Sequence, residues 1–393
     1  MDGTRRLYFD HNASAPLLPE ARDAMLRALS EAGNPSSVHR EGRRARGIVE
    51  EARRAVALLA GADPDGVIFT SGASEAANAA LSPLWQRDDR TIRVTRMAVV
   101  ETDHPCFREG GRLGAKSVTQ LPVDANGHLL IDALGDWLDM PGEGTPLLAI
   151  TLANNESGVI QPLAPIREAL AGRDVIFLVD AVQAAGRMPL DIADLGADAI
   201  LLSGHKIGAA IGVGALVLAD PFVCPAPLIV GGGQERRHRA GTEAVPAIAS
   251  FGAAAGIAAA RGPDDIARLL ALRTRLEDRL KRSGAIVVGD GVERLPNTVF
   301  VAGPGLRSET AQIALDLQGF AVSGGSACAS GKVAASPVLA AHHRAGLPID
   351  LAAGAIRVSF GYETAEAEVD AVALALSELV QRAAGATPDR RVA

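Results

Sequence analysis

The chain has 393 residues, of which 48% are apolar and 22% charged, with a formal net charge of −7; that length supports one large unit and a smaller one, each with its own core. The acidic balance excludes the basic surface that nonspecific binding to nucleic acid or anionic lipid requires. Three cysteines, Cys106, Cys224 and Cys328, form neither a CxxC pair nor an even-numbered framework, which points to a reducing compartment rather than a disulfide scaffold.

No apolar run follows Arg5 and Arg6, so no export signal is expected and the cytoplasm is the predicted location. Apolar residues dominate 92–100, 147–152, 175–179, 199–202 and 213–218, and helical patterns separate these runs. Strands alternating with helices predict βαβ units and an α/β fold with a largely parallel sheet. The Ala-rich stretch 247–260 is too short to span a bilayer and reads as a buried helix, so no membrane association is expected. Gly262-Pro263-Asp264-Asp265 then interrupts the helical pattern, since Pro removes a helical hydrogen bond and Asp265 suits a new helix start. A boundary is predicted there: a large domain over 14–260, and a smaller α+β domain made of 1–13 and 261–393. Within the latter, 286–288, 297–302 and 355–359 read as strands and 308–318 as a helix.

Chemically interesting side chains fall just after the predicted strands, where open α/β sheets bind ligands. Ser203-Gly204-His205-Lys206 follows one of them, and a lysine in a confined site can lose its proton and bond an aldehyde cofactor. Asp180 ends the preceding strand, where it either pairs with a protonated pyridine nitrogen or simply caps the next helix. Gln183, three residues on, faces the same way. His104, in Asp103-His104-Pro105, suits stacking on a planar ring and proton relay, or is a solvent-facing turn histidine. In Thr70-Ser71-Gly72-Ala73-Ser74-Glu75 a strand-to-helix turn offers backbone amides and hydroxyls to a phosphate, although an empty capping box explains it too.

Arg357 sits inside an apolar strand and is read as the clamp for an amino-acid carboxylate, with a structural ion pair as the alternative. Cys328 lies in a Gly/Ser-rich run, Ser323-Gly324-Gly325-Ser326-Ala327-Cys328-Ala329-Ser330-Gly331, from which a thiol can approach a substrate and withdraw. Cys106 and Cys224 lack that setting and read as bystanders. His39, His128, His238, His342 and His343 show no metal-ligand spacing and read mostly as surface residues, so no metal is expected.

In this order, together with Tyr8-Phe9-Asp10, Asn34-Pro35-Ser36-Ser37-Val38-His39, Asn154-Asn155-Glu156-Ser157-Gly158, Gly231 to Glu235 and Arg239-Ala240-Gly241-Thr242-Glu243, these motifs resemble the cysteine desulfurases. Those enzymes are a branch of the fold type I pyridoxal-phosphate enzymes that includes the class V aminotransferases. The resemblance implies a mainly parallel seven-stranded sheet flanked by helices, pyridoxal 5′-phosphate as cofactor, and L-cysteine as substrate. It implies Lys206 as the cofactor-bonding lysine, Asp180 on the pyridine nitrogen, His104 stacked on the ring, and Asn155 and Gln183 near its phenolic oxygen. Ala73, Ser74, Ser203 and His205 would hold the phosphate, joined by Thr242 of a neighbouring subunit, which implies a homodimer. Arg357 and Asn155 would hold the substrate, and Cys328 would carry the sulfur as a persulfide to an acceptor protein, for iron–sulfur cluster assembly or another sulfur-transfer pathway. A selenocysteine lyase, a transaminase and a noncatalytic scaffold are the alternatives.

Overall fold

In the computed structural model, residues 6–31, 33–324 and 336–386 are described. A nine-stranded sheet runs in the order Val223–Pro225, Leu84–Arg87, Arg90–Val100, Thr145–Thr151, Ile176–Asp180, Ala199–Ser203, Gly214–Leu218 and Val67–Thr70, with Val118–Leu121 also paired to Arg90–Val100. The pairs from Val118–Leu121 through Arg90–Val100, Thr145–Thr151 and Ile176–Asp180 to Ala199–Ser203 are all parallel. Gly214–Leu218 runs antiparallel to both of its neighbours.

The α/β expectation is met, and these strands make up the seven that the resemblance implied. Two further strands, Leu84–Arg87 and Val223–Pro225, extend the sheet through the first residues of Arg90–Val100. At four and three residues they are too short to show an apolar periodicity, which is why the sequence pattern did not reveal them. The inner strands are buried on both faces, as parallel strands between helices must be.

One side of the sheet is covered by Arg40–Ala60 and by Val245–Ala259, the Ala-rich stretch expected to be a buried helix. Small residues set how closely these two helices approach. A Cβ on Gly252 would lie 2.5 Å from the Ala52 Cα and 2.6 Å from its Cβ, too close for any side chain in a packed interior.

The predicted break at residue 262 is a helix junction. Gly262 precedes Pro263–Arg282, Pro263 occupies its first turn, and the Asp265 carboxylate reaches back to the Gly262 N–H at 3.0 Å. Beyond it a four-stranded sheet, Ile286–Val287, Thr298–Ala302, Ile356–Ser359 and Ser323–Gly324 in that order, is antiparallel throughout. Pro263–Arg282, Ser308–Leu317 and Glu366–Ala386 close a separate apolar core on it. Phe9 belongs to that core, Leu7–Tyr8 pairs with Phe320–Ala321 in a separate two-stranded ribbon, and Asp10 then bridges Ser359 of the small sheet before Asn12 bonds the Asn155 carbonyl. No single helix among the described residues is long and apolar enough to cross a membrane. His342, expected at the surface, is buried and bonds through Nδ1 to the Ala125 carbonyl at 3.0 Å, because its helix packs that face inward.

Candidate active site

Parallel strands place their carboxyl ends side by side, and register fixes which residues meet there. Asp180 stands opposite Thr151 and Leu201, while Ser203 and Thr70 both face Gly214 from either side. The expected site residues therefore leave the sheet at one edge.

Asp180 is buried, with Oδ1 accepting the Val182 N–H at 2.9 Å. Burial pushes its carboxyl up to about 6, against smaller opposing pulls from the Val182 N–H and then the Lys206 charge. A buried carboxylate left this poorly compensated is suited to a cationic partner. The helix-capping alternative is not met, since residues 182–187 form a turn rather than a helix, and the Val182 contact uses only one carboxylate oxygen.

Lys206 closes a short 3-10 turn, Gly204–Lys206, directly after the Ala199–Ser203 strand. Its Nζ donates to the carbonyls of Asn12 and Ala13 at 2.7 and 2.8 Å. Sequence reasoning assigned no role to Asn12, although it lies in Asp10-His11-Asn12 beside the quoted Tyr8-Phe9-Asp10. Asn12 is a hub: its Nδ2 donates to the Asn155 carbonyl and to Thr298 Oγ1, and its own carbonyl also receives Gln183 Nε2 at 2.9 Å.

His104 precedes the short helix Pro105–Arg108, and its Nδ1 accepts the Cys106 N–H at 3.2 Å. That bond leaves the proton of the neutral ring on Nε2. Burial first, and then the Lys206 charge, hold its pKa below the usual histidine value, so the ring is neutral at physiological pH. Beneath it Asp103 accepts the Val100 and Thr151 N–H groups at 2.7 and 2.8 Å, and burial raises its carboxyl to about 7. Cys106 lies close enough to Asp180 and Asp103 for both to raise its pKa on top of burial, which keeps it an inert thiol.

At the other end of the site the Ala73–Ala80 helix begins behind Gly72, which has no side chain to cap it. The first amides of a helix lack intrahelical partners, and those of Ala73 and Ser74 lie in that turn. A Cβ on Gly72 would meet nothing within 4 Å, whereas one on Gly214 would strike the Leu202 carbonyl at 2.6 Å and the Gly72 Cα at 2.7 Å. Three backbone segments thus converge with open space above them. Glu75 accepts the Ser71 N–H at 2.8 Å and pairs with Arg239 at 2.9 Å, bracing the turn. His205 Nδ1 meets Ser14 Oγ at 3.3 Å, and burial, followed by the Lys206 charge, lowers its pKa to about 4. Ser203 is buried at the end of its strand, and Thr242 is exposed on this chain.

Arg357 comes from the small sheet and is buried. Its Nη2 pairs with Asp10 at 2.7 Å, its Nη1 donates to the Asn155 carbonyl at 3.0 Å, and its Nε is enclosed without a partner. The structural ion pair weighed from sequence is present, and the Nε–H is left without a partner. Cys328 lies outside the described residues. The described residues on either side of 325–335 both touch the site: Ser323 is in register with Arg357, and Ser336 Oγ donates to Glu156. Burial raises the Glu156 carboxyl to about 7.

Residues 7–372 match the family model described as aminotransferase class V, and the chain belongs to that family. Enzymes of this family depend on pyridoxal phosphate, and the residues found here fit it: a helix N-terminus with open space for a phosphate, a buried carboxylate short of a counter-charge, and a lysine between them. The chain is 38% identical over 395 residues to a cysteine desulfurase of Cereibacter sphaeroides, covering 98% of both chains. It is 36% identical over 389 residues to cysteine desulfurase IscS of Dictyoglomus turgidum, covering 96% of this chain and 95% of that one. A NifS-like protein from Rickettsia africae superposes with a TM-score of 0.82 at 28% identity, over 95% of this chain and 99% of that chain.

Proposed function

We propose that this chain removes the sulfur of L-cysteine, releases L-alanine and keeps the sulfur as a persulfide on Cys328. The observation that carries the reading is the meeting of two sheets. Lys206 and Asp180 stand at the edge of the large one, and Arg357, beside the Ser323 end of the Cys328 segment, reaches the same Asn12–Asn155 junction from the small one.

Bound pyridoxal phosphate supplies an electron sink for charge developing on the substrate α-carbon. Lys206 Nζ holds the cofactor until substrate arrives and then takes the proton from the substrate α-carbon. Asp180 pairs with the pyridine nitrogen, the neutral His104 ring stacks on the cofactor face, and Ala73, Ser74, Ser203 and His205 hold the phosphate. Arg357 and Asn155 orient the substrate carboxylate. The Cys328 thiolate attacks the substrate sulfur; the carbon–sulfur bond breaks with its electron pair on the carbon, one proton completes the methyl group, and Lys206 returns to the α-carbon the proton it took, giving alanine.

The same reading places Thr242 in the neighbouring copy's site within a homodimer, divides the chain into 14–260 and 1–13 with 261–393, and puts the enzyme in the cytoplasm. It has the persulfide passed to an acceptor protein, as in iron–sulfur cluster assembly. Purified, cofactor-loaded protein and its Cys328→Ala variant are given L-cysteine and a reductant. Equal sulfide and alanine from the first and neither from the second are expected; normal sulfide from the variant would overturn the assignment. A faster reaction with L-selenocysteine would replace it with a selenocysteine lyase.

A further inference from the structure

Arg187 follows Gln183 by four residues and is buried. Its Nη1 donates to the Gln183 carbonyl at 3.0 Å and also to the Gln183 side-chain Oε1. Its Nη2 reaches the Lys206 and His11 carbonyls at 3.3 and 3.4 Å. One guanidinium therefore spans the segments that carry Gln183, Lys206 and Asn12.

The consequence for Gln183 follows from donor and acceptor counts. A glutamine amide has one acceptor oxygen and two N–H donors, and a guanidinium has donors only and keeps its proton. Here Oε1 is taken by Arg187, and one hydrogen of Nε2 goes to the Asn12 carbonyl at 2.9 Å. A flipped amide would set its N–H groups against the guanidinium and its oxygen against that carbonyl, so both contacts would become like facing like. The buried amide therefore has one orientation, with Oε1 turned to Arg187 and the second N–H of Nε2 the only donor left unspent.

We propose that Arg187 is a positioning residue that locks the Gln183 amide so that it offers the cofactor ring a donor and never an acceptor. The proposal rests on the reading above, in which Gln183 lies beside the ring's phenolic oxygen. An ionised oxygen there gains from a fixed N–H and loses from a carbonyl oxygen. Holding that oxygen anionic makes it harder to protonate the lysine-bound cofactor.

The test is a pH titration of the visible absorbance of the loaded enzyme and of its Arg187→Met, Gln183→Ala and doubly substituted forms. Arg187→Met raises the titration midpoint by roughly one pH unit, Gln183→Ala raises it in the same direction, and Arg187→Met adds little in the Gln183→Ala background. A wild-type midpoint in Arg187→Met, with Gln183→Ala displaced, overturns the role of Arg187 alone. A full Arg187→Met displacement in the absence of the Gln183 amide overturns it too, since the guanidinium would then act as a bare charge. An unmoved midpoint in Gln183→Ala overturns the underlying placement of Gln183. Should Arg187→Met not take up cofactor, Arg187→Lys serves. A lone ammonium cannot reach Oε1 and both carbonyls together, so a smaller displacement in the same direction is expected, and none overturns the proposal.

Discussion

Two buried sets of charges stand in contrast within the large sheet's surroundings. In one, Arg53 and Glu235 face each other through two bonds of 2.8 and 2.9 Å, Arg53 also bonds the Val67 carbonyl and, through Nε at 3.2 Å, Glu50, and Glu235 accepts the Phe69 N–H. In the other, Asp180, Asp103 and Glu156 have carboxyls raised by burial, and Arg357 keeps an unpartnered Nε. The first set is complete within the chain and its work is to hold the fold. In the second, burial outweighs the hydrogen bonds the carboxyls do make, which is the condition expected where a ligand supplies further charge.

The sharpest way to break the contrast is Arg53→Met, which strands the Glu235 carboxylate in the interior. A loss of roughly 3–5 kcal/mol is expected, measured by denaturant unfolding, and a loss below about 1 kcal/mol would place the pair outside the structural class. Asp180→Asn is expected to do the reverse. Its oxygen still accepts the Val182 N–H, so unloaded stability does not fall, while kcat/KM for L-cysteine drops by at least about a hundredfold, or ~2.7 kcal/mol of transition-state stabilisation. Parallel thermal melts and steady-state assays separate the two outcomes.

Arg357→Lys loses the planar fork, and KM is expected to rise about tenfold with a smaller change in kcat; an equal loss in both would argue that Arg357 matters only for its Asp10 ion pair. The mildest effect concerns pH. Asp180 titrates at about 6, and Asp103 and Glu156 at about 7, in the folded chain, against unfolded values near ~4. Between those limits the folded state holds protons that the unfolded state has released, so unloaded stability falls as pH rises from about 4 to about 7. Glu156→Gln, which can still accept from Ser336, is expected to flatten that slope, as read by melting temperatures across the range; an unchanged slope would remove Glu156 from the set.

Much of this molecule was legible in the chain itself. Runs of buried β-branched residues separated by helices required a parallel sheet, parallel strands put their successors at one edge, and so Lys206, Asp180 and His104 were bound to gather. The helix break at Gly262-Pro263 was equally local, because proline and an N-terminal acid act within one turn. What the sequence could not give were contacts between segments far apart along it. Nothing local in Asn12 announces that its carbonyl serves both Lys206 and Gln183, and nothing in Arg187 shows that its guanidinium holds that glutamine. Arg357 likewise read as a clamp, with an ion pair as the lesser alternative, until the N-terminal residues brought Asp10 to it. Local chemistry and periodicity determined which residues reach the edge of the sheet. Only the docking of the N-terminal residues and the small sheet against that edge decided which of their hydrogen-bonding groups are already spent.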